Sequence, residues 1–104
     1  MVMYPKGFSF RSEDYLSYIR TFPCCKCGSV KKVEAHHVST VFAQMGIDPG
    51  GLSSKAPDSH AVPLCKVCHD THDHIGAGTF WGKDNVEVMI VGFLTRYLIE
   101  ISVK

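Results

Sequence analysis

The sequence predicts a small α+β fold, in which a metal-binding core of two strands and a helix is flanked by two further helices. Apolar residues recur at helical spacing near both ends of the chain, which predicts helices over residues 12–22 and 84–102. Between them, residues 24–74 contain two short apolar runs that suit strands and two Cys-x-x-Cys motifs that suit a metal. The 104 residues are the size of one domain, so we expect a single domain over residues 1–104.

The N-terminal helix has a clear start and stop. Ser12 suits the N-cap position, because its hydroxyl oxygen can accept a hydrogen bond from an amide of the first turn. Glu13 and Asp14 follow in that turn, where the helix dipole favours negative charge. Pro23 cannot continue a helix and marks its end. We expect the apolar stripe of this helix to pack against the core.

The core is predicted as a strand, a long loop, a second strand and a helix. The strands are expected over residues 33–38 and 61–64, with Pro63 at the end of its strand or at a sheet edge. Residues 39–59 are rich in Gly, Pro and Ser, which is typical of a loop. Residues 65–72 can then form a helix, which completes the core.

The C-terminal helix is predicted from a cap and a periodic stripe. Asp84 and Glu87 have the spacing of a capping box, with Asp in place of the usual Ser or Thr. Apolar side chains recur at helical spacing from Val86 to Ile101. Because many of them are β-branched, a strand is the alternative for this segment.

Composition and charge argue against a secreted protein, a membrane protein and a nucleic-acid binder that depends on bulk charge. The chain start lacks the pattern of a signal peptide, and the longest apolar stretch, near residues 86–94, is shorter than a membrane span. We therefore expect a cytoplasmic protein without membrane contact. A formal net charge of +1 argues against nucleic-acid binding through bulk charge, so any DNA contact must depend on local charge. Lys55 in the loop can reach a phosphate or face solvent.

The cysteines predict a structural zinc site. In a reducing compartment thiols stay free, so Cys24-x-x-Cys27 and Cys65-x-x-Cys68 indicate metal binding rather than disulfides. Four thiolates complete the tetrahedral shell of zinc, and Cys25 is the spare. Since such a site has no open position for water, the cysteines alone favour a non-catalytic zinc module that binds DNA or protein. A redox pair is a third interpretation, without the thioredoxin-like setting that it requires.

Histidines complete a more specific pattern. A doublet, His36-His37, precedes the loop, and His60 begins the stretch that ends in Leu-Cys-x-x-Cys-His69. This arrangement resembles the HNH endonucleases, a branch of the ββα-metal (His-Me finger) nucleases, with a doublet ending in the base histidine and a central polar residue. Further segments are similar to small phage and prophage HNH proteins, namely residues 15–24, 55–58, 62–65 and 79–81. The resemblance therefore extends over nearly the whole chain.

The resemblance implies an endonuclease or nickase that cleaves DNA, encoded by a phage or prophage. His37 would be the general base that activates water, and His36 and His69 would bind one divalent ion, Mg²⁺ or Mn²⁺, with Zn²⁺ or Ni²⁺ as alternatives. Because neighbouring strand residues point to opposite faces, both histidines can act together only if the hairpin bends or twists there. A recombination or packaging protein of the phage or host is a further partner that the resemblance allows.

The chain departs from the family at the central position, where the HNH pattern has an asparagine and this sequence has His60. His60 can brace the loop, orient His37 or act as a third metal ligand, and Asp58 is the competing candidate for this position. His72 and His74 are possible additional contacts to metal or phosphate, or they belong to a solvated helix end. The oligomeric state is not predicted.

Overall fold

The computed structural model describes residues 10–38 and 56–103. Within these ranges the chain forms a small α+β fold, as predicted, with a two-stranded antiparallel sheet and four helices, one more than predicted. Lys55 and most of the predicted loop lie outside the described residues. The elements are α1 (Glu13–Ile19), β1 (Val33–His37), a 3₁₀ turn (Asp58–His60), β2 (Ala61–Cys65), α2 (Lys66–Ile75), α3 (Ala77–Trp81) and α4 (Val86–Ser102).

Helix α1 begins where the sequence predicts and ends earlier. The Ser12 hydroxyl accepts a hydrogen bond from the Tyr15 amide at 3.1 Å, which confirms the N-cap. The helix ends at Ile19 instead of residue 22. The next amides, of Thr21 and Phe22, donate to carbonyls only three residues back, so the last turn tightens into 3₁₀ geometry before Pro23.

The two strands form a hairpin that brings both Cys-x-x-Cys motifs together. In the antiparallel register Val33 lies opposite Cys65, and His37 lies opposite Ala61. Pro63 is tolerated because both strands of a two-stranded sheet are edges, as predicted. Its carbonyl accepts the Cys25 amide at 2.9 Å, which ties the first cysteine motif to the hairpin.

Helix α4 begins two residues later than predicted, and the capping box was wrong. The N-cap is Asn85, whose side-chain oxygen accepts the Val88 amide at 3.3 Å. Asp84 is instead paired with the Lys26 ammonium at 2.6 Å, so a long-range ion pair replaces the local cap. Helix α4 confirms the helical interpretation of this β-branched segment.

Helix α3 was not predicted. Gly76, at φ 89°, ends α2, and the chain turns there into this short helix. It buries Phe80 and Trp81 against β2 and the first turns of α4. A second apolar cluster joins Tyr15 and Ile19 of α1 to the middle of α4. No helix among residues 10–38 and 56–103 has both the length and the apolar character needed to cross a membrane.

Candidate functional site

The four predicted cysteines converge on one point. The Sγ atoms of Cys24, Cys27, Cys65 and Cys68 all lie within 4.8 Å of one another. Backbone amides support the sulfurs, with Lys26 N donating to Cys24 Sγ at 3.4 Å and Cys68 N to Cys65 Sγ at 3.5 Å. Although burial opposes ionisation, hydrogen bonds from backbone amides lower the pKa of Cys24 to about 6. This donor set fits a tetrahedral zinc ion.

Cys25 lies outside this cluster, as predicted for the spare cysteine. It is half-buried and packs against the core formed by β2, α3 and α4. Burial, followed by the neighbouring Cys24 thiolate, raises the pKa of Cys25 to about 12. A thiol held protonated in this way is neither a metal ligand nor a nucleophile.

Three histidines form a second cluster on the side of the hairpin that α2 covers. The ring of His36, which is buried, lies 4.5 Å from the ring of His72 and 4.9 Å from the ring of His69, measured between centroids. His69 and His72 are three residues apart in α2 and therefore share a helix face. Burial, followed by the nearby His72 and His69, lowers the pKa of His36 to about 4. The His36 imidazole is thus neutral near pH 7, with a lone pair available for a metal.

Two carboxylates surround these rings. His69 Nδ1 donates to Glu34 Oε1 at 2.8 Å, so its Nε2 is the nitrogen left for a metal ligand role. Asp73 lies beside both helix histidines, with its oxygens 3.2 Å from His72 Nδ1 and 3.8 Å from His69 Nε2. The sequence analysis missed Glu34. Strand alternation was the available signal, because Glu34 and His36 lie two residues apart and share one face of β1.

His37 belongs to a different cluster. Its Nε2 donates to Asp58 Oδ1 at 2.7 Å, and Asp58 is only 4 % exposed. Asp58 also accepts the Ser12 amide at 2.7 Å and the Arg11 guanidinium at 3.2 Å. Burial opposes ionisation, but these three hydrogen bonds, with that of His37 the strongest, lower the pKa of Asp58. The carboxylate is therefore charged at neutral pH and fixes the His37 ring with Nδ1 directed away from it.

The remaining predicted residues take separate positions. His60 lies in the 3₁₀ turn, where burial lowers its pKa, and its carbonyl accepts the Val38 amide at 3.1 Å to extend the hairpin. Asp58, the competing candidate for the central position, is the carboxylate bonded to His37. His74 is exposed, and at two residues beyond His72 it faces a different side of α2. Lys55 lies outside the part of the chain that the structure describes.

The structure thus gives His36 and His37 different neighbours on the two faces of β1. His36 faces α2 and its histidines, and His37 faces Asp58 and the start of α1. The pair forms the last two residues of β1. Their joint action on one phosphate stays a prediction.

A family model described as a protein of unknown function (DUF968) matches residues 1–80, which is more than half of the chain. The chain belongs to the DUF968 family. The matched residues include the four-cysteine cluster and the three-histidine cluster, whereas α4 lies beyond them.

This DUF968 member is also similar to part of one curated protein. The uncharacterized protein YdfU of Escherichia coli (strain K12) is 32% identical over 66 residues, which are 64% of this chain. These residues are 17% of YdfU, so the chain spans a small part of that protein. No solved structure matches.

Proposed function

We propose that this DUF968 protein is a metal-dependent endonuclease or nickase of the HNH type that hydrolyses phosphodiester bonds in DNA. The observation that carries the proposal is the convergence of His36, His69 and His72 from β1 and α2. The next strand residue, His37, faces the other side of β1 and is paired with the buried Asp58 carboxylate. The order of strand, connection, strand and helix is the ββα arrangement that the HNH resemblance implies. The similarity of the motifs to phage HNH proteins supports DNA as the substrate.

In this proposal the three-histidine cluster is the site of one divalent ion. His36, His69 and His72 would hold it, with Asp73 as the nearby carboxylate. Imidazole nitrogens favour Ni²⁺ or Zn²⁺ over Mg²⁺ and Mn²⁺, which prefer oxygen ligands. When bound there, the ion would neutralise charge on the scissile phosphate and on the departing oxygen. Glu34 would orient His69 through its hydrogen bond at Nδ1.

His37 would act as the general base. With Nε2–H held by Asp58, its Nδ1 has the lone pair that can take a proton from the attacking water. The water oxygen forms a bond to phosphorus while the bond to the 3′ oxygen breaks, and that oxygen takes up a proton to become a hydroxyl. Asp58 positions the ring and stabilises the imidazolium that forms, as the carboxylate does in a Ser-His-Asp triad.

The four-cysteine zinc site would support this chemistry by holding α2 in place. Cys65 ends β2 and caps α2, and Cys68 immediately precedes His69. A zinc ion that fixes these two cysteines therefore fixes the first turn of α2 against the hairpin. Because four thiolates leave zinc no open position, this ion would not itself activate water.

A nicking assay tests the proposal. Zinc-loaded protein is incubated with supercoiled plasmid and Mn²⁺, Ni²⁺ or Mg²⁺, and the rate of nicking is compared among variants. We expect His37→Ala to lower the rate by roughly 10²-fold or more, the usual contribution of a general base. His74→Ala, which removes an exposed histidine of the same helix, is the matched control and should retain the wild-type rate. Equal nicking by wild type and His37→Ala would remove His37 from the mechanism.

The closed cysteine cluster favours a second candidate function, a non-catalytic zinc module that binds DNA or protein. This alternative predicts one tightly held zinc ion and no nicking with any divalent ion. Metal titration of the zinc-loaded protein separates the two candidates. A second, weaker site that disappears in His36→Ala supports the nuclease, and a single site in both proteins supports the module.

A further inference from the structure

The outer face of α4 is apolar along its whole length. Val88, Val91, Leu98 and Ile99 each expose more than half of their accessible surface, and Val103, just beyond the helix, exposes 78%. Their spacing places them on one side of the helix. The other residues on that side are uncharged, namely Gly92, Thr95 and Ser102. We call these eight residues the α4 stripe.

The opposite face of α4 is already used in the core. Val86 and Ile90 are buried there, and Phe93 and Tyr97 pack against α1 and β2. The helix is therefore apolar on both faces, which is typical of a helix covered on both sides. Arg96 does not interrupt the stripe, because its guanidinium lies over the rings of Phe22 and Phe93 at 5.9 and 5.8 Å.

We propose that the α4 stripe is the interface of a homodimer, in which α4 packs antiparallel against α4 of a second copy. The shape of the stripe is self-complementary about a two-fold axis at Thr95. In that register Leu98 lies opposite Gly92, Ile99 opposite Val91, and Val88 opposite Ser102. In two of these three pairs a large side chain meets a small one. A Cβ at Gly92 would have no atom within 4 Å, so the Leu98 of the second copy has space there.

Charge and area agree with a second copy as the occupant. Like charges do not meet across the axis, because every residue of the stripe is uncharged and the exposed Glu87 lies opposite Val103 of the second copy. Five largely exposed aliphatic side chains from each copy bury on the order of 1,000 Å² in total, which is the threshold for a biological interface and fits a weak, concentration-dependent dimer. The share of one copy, about 500 Å², is comparable to the largest apolar patch of a typical monomer, and such patches are often functional. This inference does not depend on the proposed nuclease activity.

Sedimentation velocity of the zinc-loaded protein over a range of concentrations tests the proposal. We expect a concentration-dependent dimer, and we expect Val91→Glu to weaken it by more than tenfold because two buried carboxylates would face the apolar interface. Val30→Glu is the matched control, since Val30 is similarly exposed but lies outside α4. A monomer at every concentration, or a dimer that Val91→Glu leaves intact, would overturn the proposal. Zinc content and helicity confirm that each variant is folded.

Cysteine cross-linking tests the antiparallel register. Under mild oxidation Thr95→Cys should form a disulfide between copies, because its side chains meet at the axis. Val88→Cys should not, because Val88 of one copy lies opposite Ser102 of the other. Cross-linking of Val88→Cys as well would indicate a parallel pair and overturn the proposed geometry.

Discussion

The four-cysteine cluster and the three-histidine cluster lie on the same hairpin and helix, yet they differ in how complete they are. The four sulfurs are within 4.8 Å of one another and are supported by backbone amides. The centroids of the histidine rings are 4.5 to 6.5 Å apart, and the rings of His69 and His72 are hydrogen-bonded to carboxylates. Four thiolates complete the shell of a zinc ion, whereas the proposed ion at the three histidines would keep positions open for a substrate. Because Cys68 and His69 are neighbours in α2, the complete site can hold the incomplete one in place.

The largest expected effect comes from breaking the complete site. Cys65→Ser removes one of four thiolates, and structural zinc contributes on the order of 10 kcal/mol to the folding of small zinc domains. We expect loss of zinc and of cooperative thermal unfolding, measured by metal analysis and circular dichroism. Cys25→Ser is the matched control and should cost only about 1 kcal/mol, because Cys25 lies outside the cluster. A Cys65→Ser variant that keeps both zinc and its unfolding transition would contradict a structural role for the cluster.

Residues that act through local chemistry were the predictable ones. The Ser12 cap, the two cysteine motifs and the apolar runs of β1 and β2 follow from spacing and residue type. Long-range pairs were not predictable, since nothing local to Asp58 indicates that the Ser12 amide, 46 residues away, binds its carboxylate. A long-range pair also explains the shifted start of α4. Asp84 binds Lys26, which is 58 residues away in the sequence, instead of capping the helix.

In the candidate site, too, the residues could be predicted from the sequence and their long-range contacts could not. The motif named His36 and His69 as metal ligands and left His72 as a possible additional contact, but it did not indicate that Glu34 would pair with His69. Asp58 was named as a competitor to His60, and the structure supplies the contact to His37 that spacing alone could not. Helix α3 was missed because glycines flank it, and it forms where Phe80 and Trp81 can be buried.

A smaller effect is expected from Glu34, which contacts the histidine cluster and not the cysteine cluster. Glu34→Gln keeps the shape of the side chain and removes the charge that orients His69. We expect metal affinity at the histidine cluster, and the nicking rate, to fall about 10- to 100-fold, the usual cost of losing such a carboxylate. The zinc content and thermal midpoint should stay unchanged. Glu87→Gln, an acidic residue in the first turn of α4, is the control.

The Glu34 variant also separates positioning from general stability. Because Glu34 is partly exposed, its loss should move the metal titration and not the unfolding transition. An equal loss of metal affinity in Glu34→Gln and Glu87→Gln would show that overall negative charge, rather than the His69 contact, attracts the ion.

The smallest effect concerns acid stability and the His37 face of the hairpin. The pKa of Asp58 is lower in the folded protein than its ordinary value of 3.8, so the unfolded chain takes up this proton first. The stability that the carboxylate contributes is thus complete above about pH 4 and is lost as the pH falls through the folded pKa. Asp58→Asn lacks this titration. We therefore expect the variant to be less stable than wild type by about 1 to 3 kcal/mol at neutral pH, and the difference to shrink under strong acid.

Urea unfolding at a series of pH values measures that difference. Acid also protonates the zinc thiolates, but both proteins have the same four cysteines, so this contribution cancels when their free energies of unfolding are subtracted. Asp14→Asn, at an exposed position in the first turn of α1, should show a small difference that does not depend on the Asp58 contacts. A wild-type advantage over Asp58→Asn that stays constant down to strong acid would mean that the buried carboxylate is not the charged partner of His37. The His37 face would then be held by packing alone, and the base proposed there would lack its positioning group.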